Sequence, residues 1–246
     1  MSKLLNTCLL NKRLLNGCLV GSFAGKESDS QPLSSPAMNI ILPSAYFPPI
    51  SYFAYLLAAD ATMEAKEHFV KQSIRSRCVI TDPHGKLMLY IPKEKTGNRS
   101  VMDQVRTSEH EHWRRTHWRS IADSYRSSPY FEYYEDDFQP FFEETDDNIF
   151  NIGQRSIQKV FELLRLPYEA KVTTAYYDSG DAIDLRNAWN TIDYRNQSPV
   201  AHFPEYIQVF SDRNPFFPDL SILDLLFCLG PKSVDYLRGL ELVHLK

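Results

Sequence analysis

The chain has 246 residues, 43% hydrophobic and 24% charged, with 27 basic and 31 acidic residues and a net charge of −4. That balance excludes collagen, a coiled coil, a low-complexity chain and a disulfide scaffold. It also gives no global basic footprint of the kind non-specific nucleic-acid binding requires, so no nucleic-acid partner is expected. Phe, Tyr and Trp make up 13% of the residues, and rings of that size help a mid-sized domain build one core. None of the four cysteines, Cys8, Cys18, Cys78 and Cys228, is spaced as CxxC, so a zinc ribbon or redox pair finds no support. Buried thiols in a reducing, cytoplasmic setting are expected, with Cys228 inside the apolar run 222–229.

In chain order, residues 1–37 read as a disordered extension before a domain over 38–246. Their second half, Glu27-Ser28-Asp29-Ser30-Gln31-Pro32 and onward, has linker composition. The extension carries four basic and two acidic residues, so the remaining domain stands at −6. No apolar run approaches the ~18 residues of a membrane span.

Ile40-Ile41-Leu42, closed by Pro43, reads as a buried strand. Tyr46-Phe47-Pro48-Pro49 is a turn, and Pro49 opens a helix on which Ile50, Phe53, Ala54, Leu57 and Ala58 recur at helical spacing. A weak strand at 61–65 precedes a hairpin, 78–81 with 86–91, whose turn is Asp82-Pro83-His84-Gly85. Helices are expected over 113–126, 129–144 and 147–164, the last with its acid first and Arg165 at its end, as the helix dipole favours. Strands are expected at 171–176 and 206–210, with 178–200 irregular between them. Ser221 caps a helix through Leu229, stopped by Gly230-Pro231, and 233–240 forms the last helix. The order is α/β: a Rossmann-like central sheet with flanking helices and a helical C-terminal block.

Chemistry is sparse. There is no GxGxxG, no P-loop and no GxSxG. HExxH needs a second histidine four residues after His110, and that position is Arg114, so no metal site is expected and no motif points to a cofactor. The acidic runs at 135–137 and 143–147 read as solvated faces. The best candidate is Lys71-Gln72-Ser73-Ile74-Arg75-Ser76-Arg77. If it is extended, Lys71, Ser73, Arg75 and Arg77 share one face, where Arg forks could grip a phosphate or carboxylate. Trp113, His117, Ile121 and Tyr125 recur every four residues and form one stripe.

These motifs resemble the WbqC-like family. Pro43, Tyr46-Phe47-Pro48-Pro49, Tyr52-Phe53 and Ala59-Asp60 follow its opening pattern; Lys71, Ser73 and Arg77 fall on its Lys/Ser/Arg segment. Trp113, His117, Ile121, Tyr125 and Pro129-Tyr130-Phe131 fit its Trp–His–Tyr–Pro helix, and 217–231 its closing block, so that the resemblance runs from Met38 to about Leu240. Ser76 stands where the family often has Asn. The resemblance implies a transferase of acyl or aminoacyl type acting on an activated sugar in bacterial surface-polysaccharide or O-antigen assembly, or else a non-catalytic binding or assembly module of that pathway. Its implied partner is an anionic small molecule such as a nucleotide sugar or acyl donor. On that reading His117 is the general base, Lys71, Ser73, Arg75 and Arg77 hold the anion, Tyr46, Trp113 and Tyr125 form stacking walls, and Asp224 is a second polar anchor.

Overall fold

A computed structural model describes residues 38–95, 99–108, 112–178, 180–190 and 199–245. The 1–37 extension, with Cys8 and Cys18, and the His110-Glu111 pair lie outside the described residues.

The chain is α/β, with a parallel sheet of order β5-β2-β1-β6. The first strand, β1 (Asn39–Pro43), is buried beyond its first residue, which is why it reads as a continuous apolar run. It crosses through α1 (Ile50–Ala58) to the parallel strand β2 (Asp60–Glu64), in register Ile40 to Ala61 and Leu42 to Met63. The two outer strands are short: β5 (Lys171–Val172) beside β2, and β6 (Ile183–Asp184) beside β1. A separate antiparallel hairpin joins β3 (Arg77–Asp82) to β4 (Gly85–Tyr90). Its turn is fixed by Asp82, whose side chain accepts from the His84 amide at 2.7 Å, and by Gly85 at φ 128°.

The helices are α2 (Trp113–Tyr125), α3 (Phe131–Phe138), α4 (Ile149–Leu163), α5 (Ile222–Leu229) and α6 (Ser233–Arg238). The run expected as one helix over 129–144 is α3 followed by a 3-10 turn, Gln139–Phe142, with Pro140 in its first turn. The helix expected from residue 147 starts at Ile149: Asn148 caps it by accepting from the Asn151 amide at 3.1 Å, and Asp147 turns outward to Arg106 at 2.6 Å. Helix α1 is buried on more than the expected stripe, since Ser51, Tyr52 and Tyr55 are also enclosed.

Two strand expectations fail for one reason: side chains take over the pairing. The strand expected at 171–176 ends at Val172: the Ala65 amide donates to the Thr173 hydroxyl at 3.0 Å, and that hydroxyl donates to Glu64 at 2.6 Å. Residues 206–210 form no strand. The Gln208 side chain pairs with the Phe217 backbone instead, donating to its carbonyl at 3.0 Å and accepting from its amide at 2.9 Å. Conversely, β6 lies in the stretch read as irregular.

The turn after β1 organises the molecule. Phe47 sits at φ 36°, a left-handed conformation that bulky residues rarely adopt. Three elements hold it there: its amide donates to Ser156 of α4 at 3.0 Å, its carbonyl accepts from Ser221 at the start of α5 at 2.8 Å, and its ring packs on Phe138 and Phe141.

Candidate functional site

The residues singled out in the sequence do not form one pocket. They fall into three closed clusters and one open cleft.

The first cluster joins Tyr46, Trp113 and His117, each no more than 3% exposed. His117 Nε2 lies 3.0 Å from the Tyr90 carbonyl, which only accepts, so Nε2 carries the proton. Nδ1 must then accept from the Tyr46 hydroxyl at 2.9 Å. Burial lowers the imidazole to about 4, so it is neutral at pH 7. The indole of Trp113 stands edge-on to both rings, 5.1 Å from His117 and 6.2 Å from Tyr46.

The second cluster surrounds Asp224, a fully buried carboxylate. It accepts from the Tyr125 hydroxyl at 2.9 Å, the Tyr206 hydroxyl at 2.5 Å and the Gln208 amide at 3.0 Å. Burial raises its carboxyl above the usual range despite these donors. Tyr125 is thus a tether inside the core.

In the third cluster the extended-face expectation is corrected. Residues 71–76 are turns, with Gln72 at φ 62°, because their backbone bonds run outward to two neighbours: Tyr46 N to Ile74 O at 2.9 Å, and Ile91 N to Ser76 O at 2.8 Å. Alternation is lost, and the four side chains part. Lys71 is exposed and Ser73 buried, its hydroxyl donating to the Val70 carbonyl at 2.8 Å. Arg75 is fully buried and spends all its donors internally: Nε and Nη2 on Glu67 at 2.8 and 2.6 Å, Nη1 on Ser73 at 3.3 Å and Asn190 at 2.9 Å, and Nη2 again on the Arg186 carbonyl at 3.0 Å. Arg186 in turn forks onto Asp184 at 3.0 and 2.6 Å and reaches the buried Glu64 at 3.4 Å. These charges fill the carboxyl ends of β2 and β6, the place where open α/β sheets commonly leave a ligand crevice.

Of the basic segment, Lys71 stands on the surface and Arg77 reaches a cleft. On β3 it shares a hairpin face with Val79 and Thr81, and Lys86 lies opposite Thr81 on that face. Across from the hairpin runs the segment 218–221, pinned by Ser221 N to Val79 O at 2.7 Å and by Ile50 N to Leu220 O at 3.0 Å. Arg77, Lys86, Asp219 and the apolar Phe47, Ile74 and Leu220 line the cleft between them. Its volume is about 30 Å³, room for roughly two waters.

Asp219 is the group that sequence reasoning missed. At φ 57° it swings its carboxylate onto the first turn of α1, where Oδ1 accepts from the Ser51 amide and Oδ2 from the Ser51 hydroxyl, both at 2.7 Å. The Ser51 hydroxyl accepts in turn from Trp189 Nε1 at 2.9 Å. Burial raises Asp219 to about 7, against the pull of these bonds and of Lys86. Among the described residues neither Arg77 nor Lys86 forms an ion pair: Arg77 touches the Met88 sulfur at 3.4 Å, and Lys86, whose charge acts on Asp219, lies 5.4 Å from the Phe217 ring centre. A sequence signal for Asp219 is hard to find, because the helix it caps lies 168 positions away. Lys86 was visible only as a polar residue of the return strand.

No group of three or more His, Cys, Asp or Glu among the described residues could hold a metal, and no described helix is long and apolar enough to cross a membrane. Cys78 and Cys228 are free and buried, and burial pushes both thiols well up. Among known proteins, the model of the WbqC-like protein family matches residues 44–199, more than half of the chain. The matched stretch contains Arg77, Lys86 and His117 and stops before Asp219. Comparison with curated proteins and with solved structures gives no match.

Proposed function

The chain belongs to the WbqC-like protein family, and on that premise we propose that it is a cytoplasmic transferase of acyl or aminoacyl type, acting on an activated sugar in surface-polysaccharide assembly. The observation that carries this reading is one cleft lined by Arg77, Lys86 and the buried Asp219, the two cations forming no ion pair among the described residues and burial raising the carboxyl to about 7. Arg77 and Lys86 hold the anionic head of the substrate, a carboxylate or one phosphoryl group, which is what so small a volume admits. Asp219, titrating near neutrality, takes the proton of the attacking amine as the carbon–nitrogen bond forms and the bond to the leaving group breaks. His117 is assigned a positioning role: its accepting nitrogen is already taken by Tyr46, and it holds the turn carrying Phe47 against α2.

A specific observation favours a second reading, a binding or assembly module: the Tyr46–His117 and Arg75–Glu67 groups are closed within the core. Mass spectrometry of amino-sugar nucleotides incubated with acyl-CoA and aminoacyl donors separates the two. The transferase reading expects an acylated product with the wild type and none with Asp219→Asn. No product from any donor, with ligand binding retained, leaves the module.

A further inference from the structure

A second, larger cleft lies on another face, between the first turns of α2 and the 3-10 turn Gln139–Phe142. Its volume is about 350 Å³, within the range of small-ligand sites. Trp118 and Phe142 line it, with Arg114, Arg115, Gln139 and Glu143 beside them. Trp118 is a fixed plate: Phe131 stacks against it at 6.0 Å and 21°, and Phe142 packs at 5.7 Å. The indole is only half-buried, so part of it remains open to the cleft. Arg115 precedes Trp118 by three positions and so stands on the same helix face. It is exposed and forms no ion pair among the described residues. Arg114, which also lines the cleft, holds its guanidinium 4.5 Å from the Trp113 ring centre and donates to the Asp146 carbonyl. Gln139 donates to Glu143 at 2.9 Å, and its own amide oxygen can still accept.

An aromatic plate, an amide beside it and a free guanidinium one turn away suit a flat heterocycle that carries a phosphate. We propose that this cleft binds a mononucleotide, with the base stacked on Trp118, its polar edge toward Gln139 and the phosphate on Arg115. Stacking on an aromatic side chain tolerates any base, so the site selects nucleotides as a class. The assignment does not depend on the cleft at Asp219. The two share only an aromatic wall, in which Phe47 of one and Phe142 of the other lie 6.1 Å apart.

The test is tryptophan fluorescence of the full chain titrated with uridine and adenosine monophosphates, with inorganic phosphate and glucose as controls. Saturable quenching by both nucleotides is expected, weakened about tenfold by Arg115→Ala, as loss of one charge-assisted contact implies, and unchanged by Arg77→Ala. Arg115 is exposed, so the variant should melt like the wild type. No saturation at millimolar nucleotide, equal affinity in Arg115→Ala, or equal quenching by phosphate or glucose overturns the proposal. Loss on Arg77→Ala instead moves the nucleotide to the other cleft and also overturns it.

Discussion

A neutral imidazole with a carbonyl on one side and a hydroxyl on the other has no lone pair to offer a substrate. His117 is in that position, so its removal should register as stability. His117→Ala leaves the Tyr46 hydroxyl and the Tyr90 carbonyl without their partner, and should cost about 1–3 kcal/mol for each such group in a denaturant melt. Unchanged stability would show that the pocket is wet and the histidine available. His117 and Asp219 also give opposite pH signatures. The histidine is lowered to about 4, so its contribution to stability is present above its unfolded value, near 6.5, and is lost as pH falls through 4. Asp219 is raised to about 7, so its contribution is full below its unfolded value, near 4, and is lost as pH rises through 7. Relative to wild type, Asp219→Asn should therefore gain stability from pH 4 to 7, on the order of 4 kcal/mol, while His117→Gln should lose it from pH 4 to 6.5. Parallel curves for wild type and either variant would mean that the group titrates as it does in water.

At the scale of elements, the molecule is tied by buried polar knots. Arg75 joins the 67–76 segment to the 186–190 segment after β6 through Glu67, Asn190 and the Arg186 carbonyl. Breaking such a pair from one side strands a buried charge and costs about 3–5 kcal/mol. Arg75→Met should lose about that much, and the double variant with Glu67→Gln should recover a good part; a double variant no better than the single would deny the pairing. The end of α5 is equally constrained. Gly230 has φ 55°, and a Cβ there would stand 2.4 Å from the Tyr130 ring, so Gly230→Ala should prevent normal folding, visible as loss of a cooperative melt. This punctuation explains what was legible in the sequence. Pro49, Ser221 and Gly230 mark helix ends by local chemistry, and β1 declares itself by an unbroken apolar run. Two-residue β6 has no periodicity to read, and the 206–210 segment looks like a strand because Tyr206 and Gln208 alternate inward, although they do so to reach Asp224. The candidate site was legible only at Arg77. Asp219 arrives from a distant segment and Lys86 from the return strand of the hairpin, while Ser73 and Arg75 of the 71–77 alternation are spent on internal bonds.

Across the whole molecule, the parallel sheet closes its usual crevice with its own ion pairs, and a cleft opens on the hairpin side, where β3, β4 and the 218–221 segment meet. A net positive cleft on an acidic protein concentrates anions locally. Calorimetric titration of phosphate, acetate and glycine into wild type, Arg77→Ala and Arg77→Lys at low salt shows whether Arg77 holds such an anion. At least one of these ligands should saturate the wild type, weaken about tenfold or more in Arg77→Ala at ~1.4 kcal/mol per decade, and recover only in part in Arg77→Lys, which lacks the planar fork. Equal affinities of all three proteins for every anion would contradict it and leave Arg77 as a solvated strand residue.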